Sequence, residues 1–395
     1  MRPLSIAIAG CGPCGLAAAL LLERQGHSVT LFERFAEPQP IGSGLMIQPT
    51  GLAVLRKLGL ADAVLALGAR VDRLHGTAGG RTVLDVPYAA LGRPERFGIG
   101  IHRSSLFSLL YKQVQARPIA LHTGKAVTGS SLAGEQRHLL FGNGTRSDGF
   151  DLVVDALGTW SPLVDQPHRP LGFGALWATL EWPQDGPFAP AVLAQRYERA
   201  SKMVGVLPTG TGEGTGRQLA FFWSLRGDRF DAWQRGGLGP WKLEVERLWP
   251  ETAVLLAQIS DPAQLTFARY AHRTVKVPAA KRMIHLGDAW HCASPQLGQG
   301  ANMALLDAFA LSVALEQSHT VDEALARAVS LRRHHVLVYQ ALTWFFTPVY
   351  QSDSRVIPFF RDRLVAPLSR IPALTKLQAA MVSGLVGRPL AALGL

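Results

Sequence analysis

The chain runs to 395 residues, 48% hydrophobic and 17% charged, with three cysteines and a formal net charge of +11. That balance excludes a disordered chain and a disulfide framework, and no apolar run reaches the ~18–20 residues a membrane span requires. The positive charge suits an anionic ligand, an acidic partner, anionic lipid or plain solubility, whereas scattered basic residues without a recognition motif argue against nucleic acid.

The length accommodates two domains or one large α/β domain with an inserted layer. It opens on Ile6-Ala7-Ile8-Ala9-Gly10-Cys11-Gly12-Pro13-Cys14-Gly15, an apolar strand ending in Gly-x-Gly-x-x-Gly. A helix follows over 16–25, closed by Gly26, and a second strand over 28–32 delivers Glu33. This is the fingerprint of a dinucleotide site. Gly10 permits the tight turn, Gly12 lets a pyrophosphate approach the backbone, and Gly15 lets helix and strand pack closely. Glu33 accepts the hydroxyls of an adenosine ribose. Cys11-Gly12-Pro13-Cys14 also spells a thioredoxin motif, but too little chain precedes it and no Trp stands ahead. So few cysteines, two of them in this turn, point to a reducing cytosol.

Downstream, a turn rich in Pro and Gly leads through 41–49 to a helix over 51–60, and 71–98 alternates short β-runs with turns. Ile101-His102-Arg103 opens another helix, with Ser104 or Ser105 as its cap. Residues 119–154 read as a β-meander that ends on an apolar strand at 152–154. From 166 to 277 the pattern is β-runs at 174–182, 191–197, 203–207 and 219–225, with helical stretches at 240–249 and 251–259 separated by Pro250. The glycine-rich loop 210–216 precedes a strand and reads as a hairpin, not a phosphate loop.

The strand 282–286 then runs into Gly287-Asp288-Ala289-Trp290-His291-Cys292-Ala293-Ser294-Pro295-Gln296-Leu297-Gly298-Gln299-Gly300-Ala301-Asn302 and a helix over 303–316. A second glycine-rich turn at a helix N-terminus makes a second anion or carbonyl site. The last 65 residues are helical and basic, with Arg332-Arg333 and the aromatic run Trp344-Phe345-Phe346. They dock on the body or touch a membrane surface.

Over 1–350 the chain resembles the class A (single-component) FAD-dependent monooxygenases of the p-hydroxybenzoate hydroxylase type. Gly10, Gly12, Pro13, Cys14, Gly15, Glu33 and Arg34 resemble that family's ADP-binding unit, and Asp288, Pro295, Gly298, Gly300, Ala301 and Asn302 its second FAD motif. Arg103 resembles a flavin-contacting helix start.

The resemblance implies an α/β (α+β) fold. A Rossmann-like FAD-binding domain would span 1–165, with an excursion near 71–98, and resume at 278–330. An antiparallel substrate sheet would be inserted at 166–277, and a helical C-terminal region would cover 331–395. It implies FAD, NADH or NADPH as reductant, O2, and hydroxylation of an aromatic or polycyclic small molecule through a C4a-hydroperoxyflavin in the cytoplasm, with no metal. Trp177, Phe221 and Trp223, with Phe173, are the candidates for lining the substrate site. His291 and His102 are the candidates for a base.

One motif departs from the pattern: where the family has Asp-Gly-x-x-Ser-x-x-Arg, this chain has Leu157-Gly158-Thr159-Trp160-Ser161-Pro162-Leu163-Val164. That substitution keeps open an oxidase or reductase of the same fold without oxygen insertion. A third alternative is a non-catalytic FAD-fold binding protein.

Overall fold

A computed structural model describes residues 2–38, 44–212, 214, 216–368 and 371–395, without the side chains of 365–368. The expected run at 41–43 and two positions of the glycine-rich loop, 213 and 215, lie outside the described residues.

The strand Ser5–Ala9 is the centre of the first sheet because every residue after Ser5 is buried on both faces, as an all-apolar run in a parallel sheet requires. It pairs in parallel with Ser28–Phe32 on one side and Leu152–Asp155 on the other. Ala120–His122 and Met283–His285 extend the parallel sheet, and Ala279–Ala280 adds a short antiparallel edge. Pro13–Arg24 and Gly300–Glu316 cover one face of it, their alanines and leucines interlocking in one core. The expected meander at 119–154 is therefore corrected. Its first and last strands join the parallel sheet, and Val127–Ala133 with Gln136–Phe141 alone forms a hairpin. Alternation within each run is the same in both arrangements, so the pattern does not distinguish them.

A second, seven-stranded sheet forms a roof. Arg169–Glu181, Gln218–Arg226, Lys202–Gly210 and Val192–Glu198 lie side by side, with Thr266–His272 at one edge. Arg73–Ala78 and Arg81–Pro87 from the early excursion complete the other edge, Arg73–Ala78 pairing in parallel with Val192–Glu198. The outer face buries Leu176, Val204, Phe221 and Trp223 beneath Trp241, Val245 and Leu255 of the helices that follow. Pro250 separates those helices as expected, with Leu238–Leu248 before it and Ala253–Leu256 after. The inner face carries Leu207, Ala220 and Phe222 against Met46 and Tyr88.

Between the two sheets lies a three-stranded antiparallel sheet, Gly44–Ile47, Gly98–His102 and Ala69–Val71. It touches the roof so closely that a Cβ at Gly100 would lie 1.9 Å from the Pro208 carbonyl oxygen. The helix Val321–Tyr350 runs back across the FAD-type core, followed by Val356–Leu368, Pro372–Val382 and Pro389–Leu393.

Candidate active site

The first turn behaves as its glycines demand. Gly10 has φ +105°, and a Cβ there would meet the Ala156 carbonyl oxygen at 2.5 Å. A Cβ at Gly15 would lie 2.0 Å from the Gly10 carbonyl oxygen, so helix and turn close only over glycine. At Gly12 a Cβ would meet nothing within 4 Å, which leaves open space in front of the backbone. Gly12 caps the helix without a side-chain acceptor, and Pro13 takes the first helical position, where its missing N–H costs nothing. The first-turn amides therefore face the open space with no side chain to satisfy them.

Glu33 reaches back over this turn. Its Oε2 accepts the Cys11 N–H at 3.0 Å and its Oε1 the Phe35 N–H at 3.1 Å. Each carboxylate oxygen keeps one further lone pair, the number that two ribose hydroxyls require. Arg34 lies exposed beside it with its guanidinium over the Phe35 ring, 4.5 Å from the centroid. Cys11, Cys14 and Cys292 are buried free thiols. Burial, with the Glu33 charge adding, pushes Cys11 up to about 12, so it stays a protonated thiol and not a redox nucleophile. Cys14 is packing material: its sulfur sits 3.5 Å from the Ala304 carbonyl oxygen and beside Gly287, joining the first turn to the second.

The second turn meets the first from the neighbouring strand. Gly300–Glu316 starts behind Gln299, which offers no side-chain cap, so the amides of Gly300, Ala301 and Asn302 have no partner within the helix. Pro295 opens a short 3-10 turn that ends on Gly298 in the left-handed region at φ +60°. Asn302 is wholly buried and works as a latch. Its Oδ1 accepts the Gln48 N–H at 2.8 Å, while its Nδ2 donates to the Met46 and Gly298 carbonyls at 3.0 and 2.9 Å.

Asp288 is exposed by surface area, yet crowding desolvates its carboxyl and raises it, against the lowering fields of His291, Arg103 and Arg273. Both observations hold for a group lining a deep recess. Arg103, exposed at the first position of Arg103–Gln115, shares that recess. The open cradle at Gly12, the ribose-type acid, the uncapped amides and the recessed Asp288 together fit FAD along its whole length.

His291 is corrected. It is 3% exposed, and its Nε2 lies 2.6 Å from Asp307 Oδ2, so it is committed to the interior and cannot reach a substrate. His102 caps its helix in place of the expected Ser104 or Ser105, its Nδ1 accepting the Ser104 N–H at 3.2 Å. Its Nε2 lies 2.8 Å from Thr179 Oγ1 of the roof, and burial lowers its pKa, leaving a neutral ring between the two sheets.

Phe221 and Trp223 are also corrected. They point to the roof's outer face, Phe221 against Trp241 with centroids 6.1 Å apart. Strand residues alternate faces, so the inner position belongs to Phe222, whose ring meets that of Trp177 with centroids 4.7 Å apart and planes tilted by 33°. Trp177 remains on the inner face, its indole N–H donating to Tyr270 Oη at 3.1 Å. Phe173 lies beneath the Arg226 guanidinium, 5.9 Å away.

Several supporting residues lie around these turns, and apart from Asp155, the acid two residues before Leu157, they carried no sequence signal. Asp155, 0% exposed, accepts from Ser161 Oγ at 2.6 Å and pairs with His285 Nδ1 at 2.7 Å. It points inward and leaves Leu157 where the family places its acid. Arg273 ties the roof's edge to the flavin-side turn, donating to the Ala289 carbonyl at 3.2 Å. Tyr88 donates to Gln48 Oε1 at 2.5 Å, burial pushing its phenol up and keeping the proton on it. Gln48 Nε2 lies 3.7 Å from where a Gly298 Cβ would stand, beside the second turn.

Arg332, in the basic C-terminal stretch, docks on the body of the protein. It is 1% exposed and donates from Nε to Asp307 Oδ1 at 2.7 Å. Its Nη1 reaches His335 Nδ1 at 2.9 Å, and His335 Nε2 donates to the Gly384 carbonyl at 2.9 Å. Burial, and then the Arg332 charge, hold His335 down at about 3. Because that folded value lies below the unfolded one, His335 favours folding above ~6.5 and loses this as pH falls towards the folded value. Denaturant titrations are expected to show about 2 kcal/mol less stability at pH 5 than at pH 7 from this group. His335→Gln should flatten that difference, and an unchanged pH dependence in the variant would refute it.

The sequence profile of the family described as FAD binding domain matches residues 4–140 and 242–338. The chain is 27% identical over 359 residues to 3-amino-4-hydroxybenzoate 2-monooxygenase of Streptomyces cremeus, covering 84% of each protein. It is 27% identical over 398 residues to 6-methylpretetramide 4-monooxygenase of Streptomyces rimosus, covering 95% of this chain and 88% of that one. The crystal structure of Klebsiella pneumoniae HpxO complexed with FAD and uric acid shares the fold, with a TM-score of 0.78 at 19% identity over 96% of this chain and 97% of that one. With the family profile spanning more than half of the chain and both its FAD turns assembled in one recess, the protein belongs to the FAD-binding-domain family as a class A FAD-dependent monooxygenase.

Proposed function

We propose that the protein hydroxylates an aromatic or polycyclic small molecule held between the second turn and the inner face of the roof, using NADH or NADPH and O2. The observation that carries this reading is the convergence of aromatic and polar groups beside Gly298. Met46 and Gln48 abut the turn, Tyr88 orients Gln48, and the paired rings of Trp177 and Phe222 face them from the roof. A flat apolar ring suits such a site, and a few placed polar groups fix its orientation. Bound FAD supplies the redox chemistry and the activation of oxygen.

The protein's own tasks are binding, orientation and exclusion of water. The positive end of Gly300–Glu316 would favour negative charge on a flavin held against the amides of Gly300, Ala301 and Asn302. His102, whose Nδ1 accepts the Ser104 N–H and whose Nε2 meets Thr179 Oγ1, has both nitrogens engaged and is proposed to position Thr179 of the roof rather than to take a substrate proton itself. A reducing cytosol suits the three buried thiols, and a peripheral contact of the basic C-terminal helices with a membrane belongs to the same reading.

The test is a panel of aromatic compounds screened for stimulated NAD(P)H consumption, followed by mass analysis of products formed under ¹⁸O₂. Label in the product supports the hydroxylase. Peroxide and an unlabelled, two-electron-oxidised product formed from the aromatic and O2 without NAD(P)H would instead establish the oxidase reading, which the inward-turned Asp155 and the apolar Leu157 favour. Phe222→Ala is expected to raise KM for the aromatic substrate by about tenfold, the loss of roughly 1–1.5 kcal/mol of ring contact. An unchanged KM would place the substrate elsewhere.

A further inference from the structure

The helix Val356–Leu368 turns apolar residues outward and a cation inward. Among its described side chains Arg361, at 3% exposed, and Pro358 are buried, while Val356, Phe359, Phe360 and Leu364 are 63%, 50%, 55% and 52% exposed. Those four, with Arg363, recur at helical spacing and share one face. Arg361 fixes the orientation. Its Nη1 donates to the Val349 carbonyl at 3.1 Å, its Nη2 to the Arg199 carbonyl at 2.8 Å, and its Nε to Asp362 at 2.8 Å. Its guanidinium also lies 5.0 Å from the Tyr197 ring centroid and 5.5 Å from that of Tyr350. Turning the helix to hide its phenylalanines would strip a buried cation of every one of these partners outside the helix, leaving only Asp362.

The flanking segments have the same character. Trp344 and Phe345 are 65% and 61% exposed near the end of the preceding helix, and Ile371 and Leu377 are 46% and 50% exposed around the start of the next. Soluble surfaces scatter single apolar residues, but do not gather so many in one short stretch without a partner. The charges there are one-sided. Arg355, Arg363 and Lys376 are exposed, Arg363 lying 3.6 Å over the Phe359 ring. The two acids of 344–377 are both paired, Asp353 with Arg226 and Asp362 with Arg361.

We propose that the outward face of Val356–Leu368, with Trp344 and Phe345, docks in the headgroup layer of an anionic membrane. This deepens the peripheral-contact reading above by naming the surface and the lipid charge. A face both apolar and cationic, on a chain of net charge +11, complements anionic lipid and repels a second copy of itself. The contact is peripheral, since among the described residues no helix is long and apolar enough to cross a membrane. The helix lies on Arg81–Pro87, whose Val83 and Val86 share the buried cluster of Tyr88 and Phe222. Docking therefore sets a wall of the substrate site against the lipid, where apolar aromatics concentrate.

The experiment is flotation of the full-length FAD-loaded protein with vesicles of phosphatidylcholine alone or mixed with phosphatidylglycerol. The expected result is binding to the anionic vesicles, weakened by salt, and at least about tenfold weaker in F359S/F360S and in R363E. In a second measurement, brominated phosphatidylglycerol should quench fluorescence in the wild type more than in W344F. A wild type that stays unbound on anionic vesicles overturns the proposal, as does wild-type binding by the variants. A dimer that F359S/F360S dissociates, with no vesicle binding, overturns it in favour of a second copy. Flavin content and turnover of a water-soluble aromatic, measured on the same preparations, report the hydroxylase reading separately, because none of these residues touches that site.

Discussion

Replacing Asp307 with alanine is expected to lower stability by about 3–5 kcal/mol, as removal of one partner from a buried ion pair does. Asp307 lies at 1% exposure in the middle of Gly300–Glu316 and serves three groups at once. It accepts the Gly287 N–H at 2.9 Å, His291 Nε2 at 2.6 Å and Arg332 Nε at 2.7 Å. Burial alone would raise its carboxyl, but the charges and hydrogen bonds of His291 and Arg332 outweigh that and hold it at about 2. Without it, a guanidinium that is 1% exposed has no counter-charge, and the turn carrying Asp288 loses its anchor.

The loss should therefore reach FAD affinity as well as chemical denaturation. D307L/R332M is the discriminating variant. Removing both charges should restore about half or more of the lost stability, because an apolar pair replaces the ion pair without leaving a buried charge. A double variant as unstable as the single one would show that the cost lies in the released Gly287 and His291, not in Arg332.

The second large effect separates two glycines three residues apart. Gly12→Val should leave the apo-protein's melting temperature within a few degrees of wild type, because a Cβ there meets nothing within 4 Å. FAD affinity should nonetheless fall by about a hundredfold or more. Valine fills the space a pyrophosphate needs, and each lost hydrogen bond to a charged group costs roughly 1.5–3 kcal/mol. Gly15→Val should lose both stability and flavin, since its Cβ would stand 2.0 Å from the Gly10 carbonyl oxygen and no side-chain motion relieves a backbone clash. Flavin absorbance of the purified proteins and thermal melts with and without added FAD measure both. Retention of flavin by Gly12→Val would remove the cofactor from this turn.

Much of this molecule was legible in the residues. The Gly10–Gly15 turn, Glu33 and the 287–302 turn each carry a local requirement, a positive φ, a close approach or an uncapped helix start, and local requirements are written in consecutive residues. Their partnership was not. Cys14 meets Ala304, and Asn302 latches Met46 and Gln48, across more than 250 positions of chain.

The misplaced residues share a cause. Aromatic content alone points to Phe221 and Trp223, but in a strand one position decides the face, and pairing with Arg169–Glu181 sets Phe222 inward. His291 was read from its place in the motif, whereas Asp307, sixteen residues on along a helix, turned it into the core.

What the sequence determined by itself was the chemistry the protein can hold: a dinucleotide turn, a second flavin-side turn and a basic, helical C-terminus. Which charges are interior and which apolar residues are exterior follows from the packing of distant elements. Arg332 and Arg361 look like solvated cations of a basic tail, and Phe359 and Phe360 look like core. The fold places them the other way round, because a guanidinium with fixed carbonyl, carboxylate and ring partners is stable inside, and the helix that supplies it must turn its other face outward.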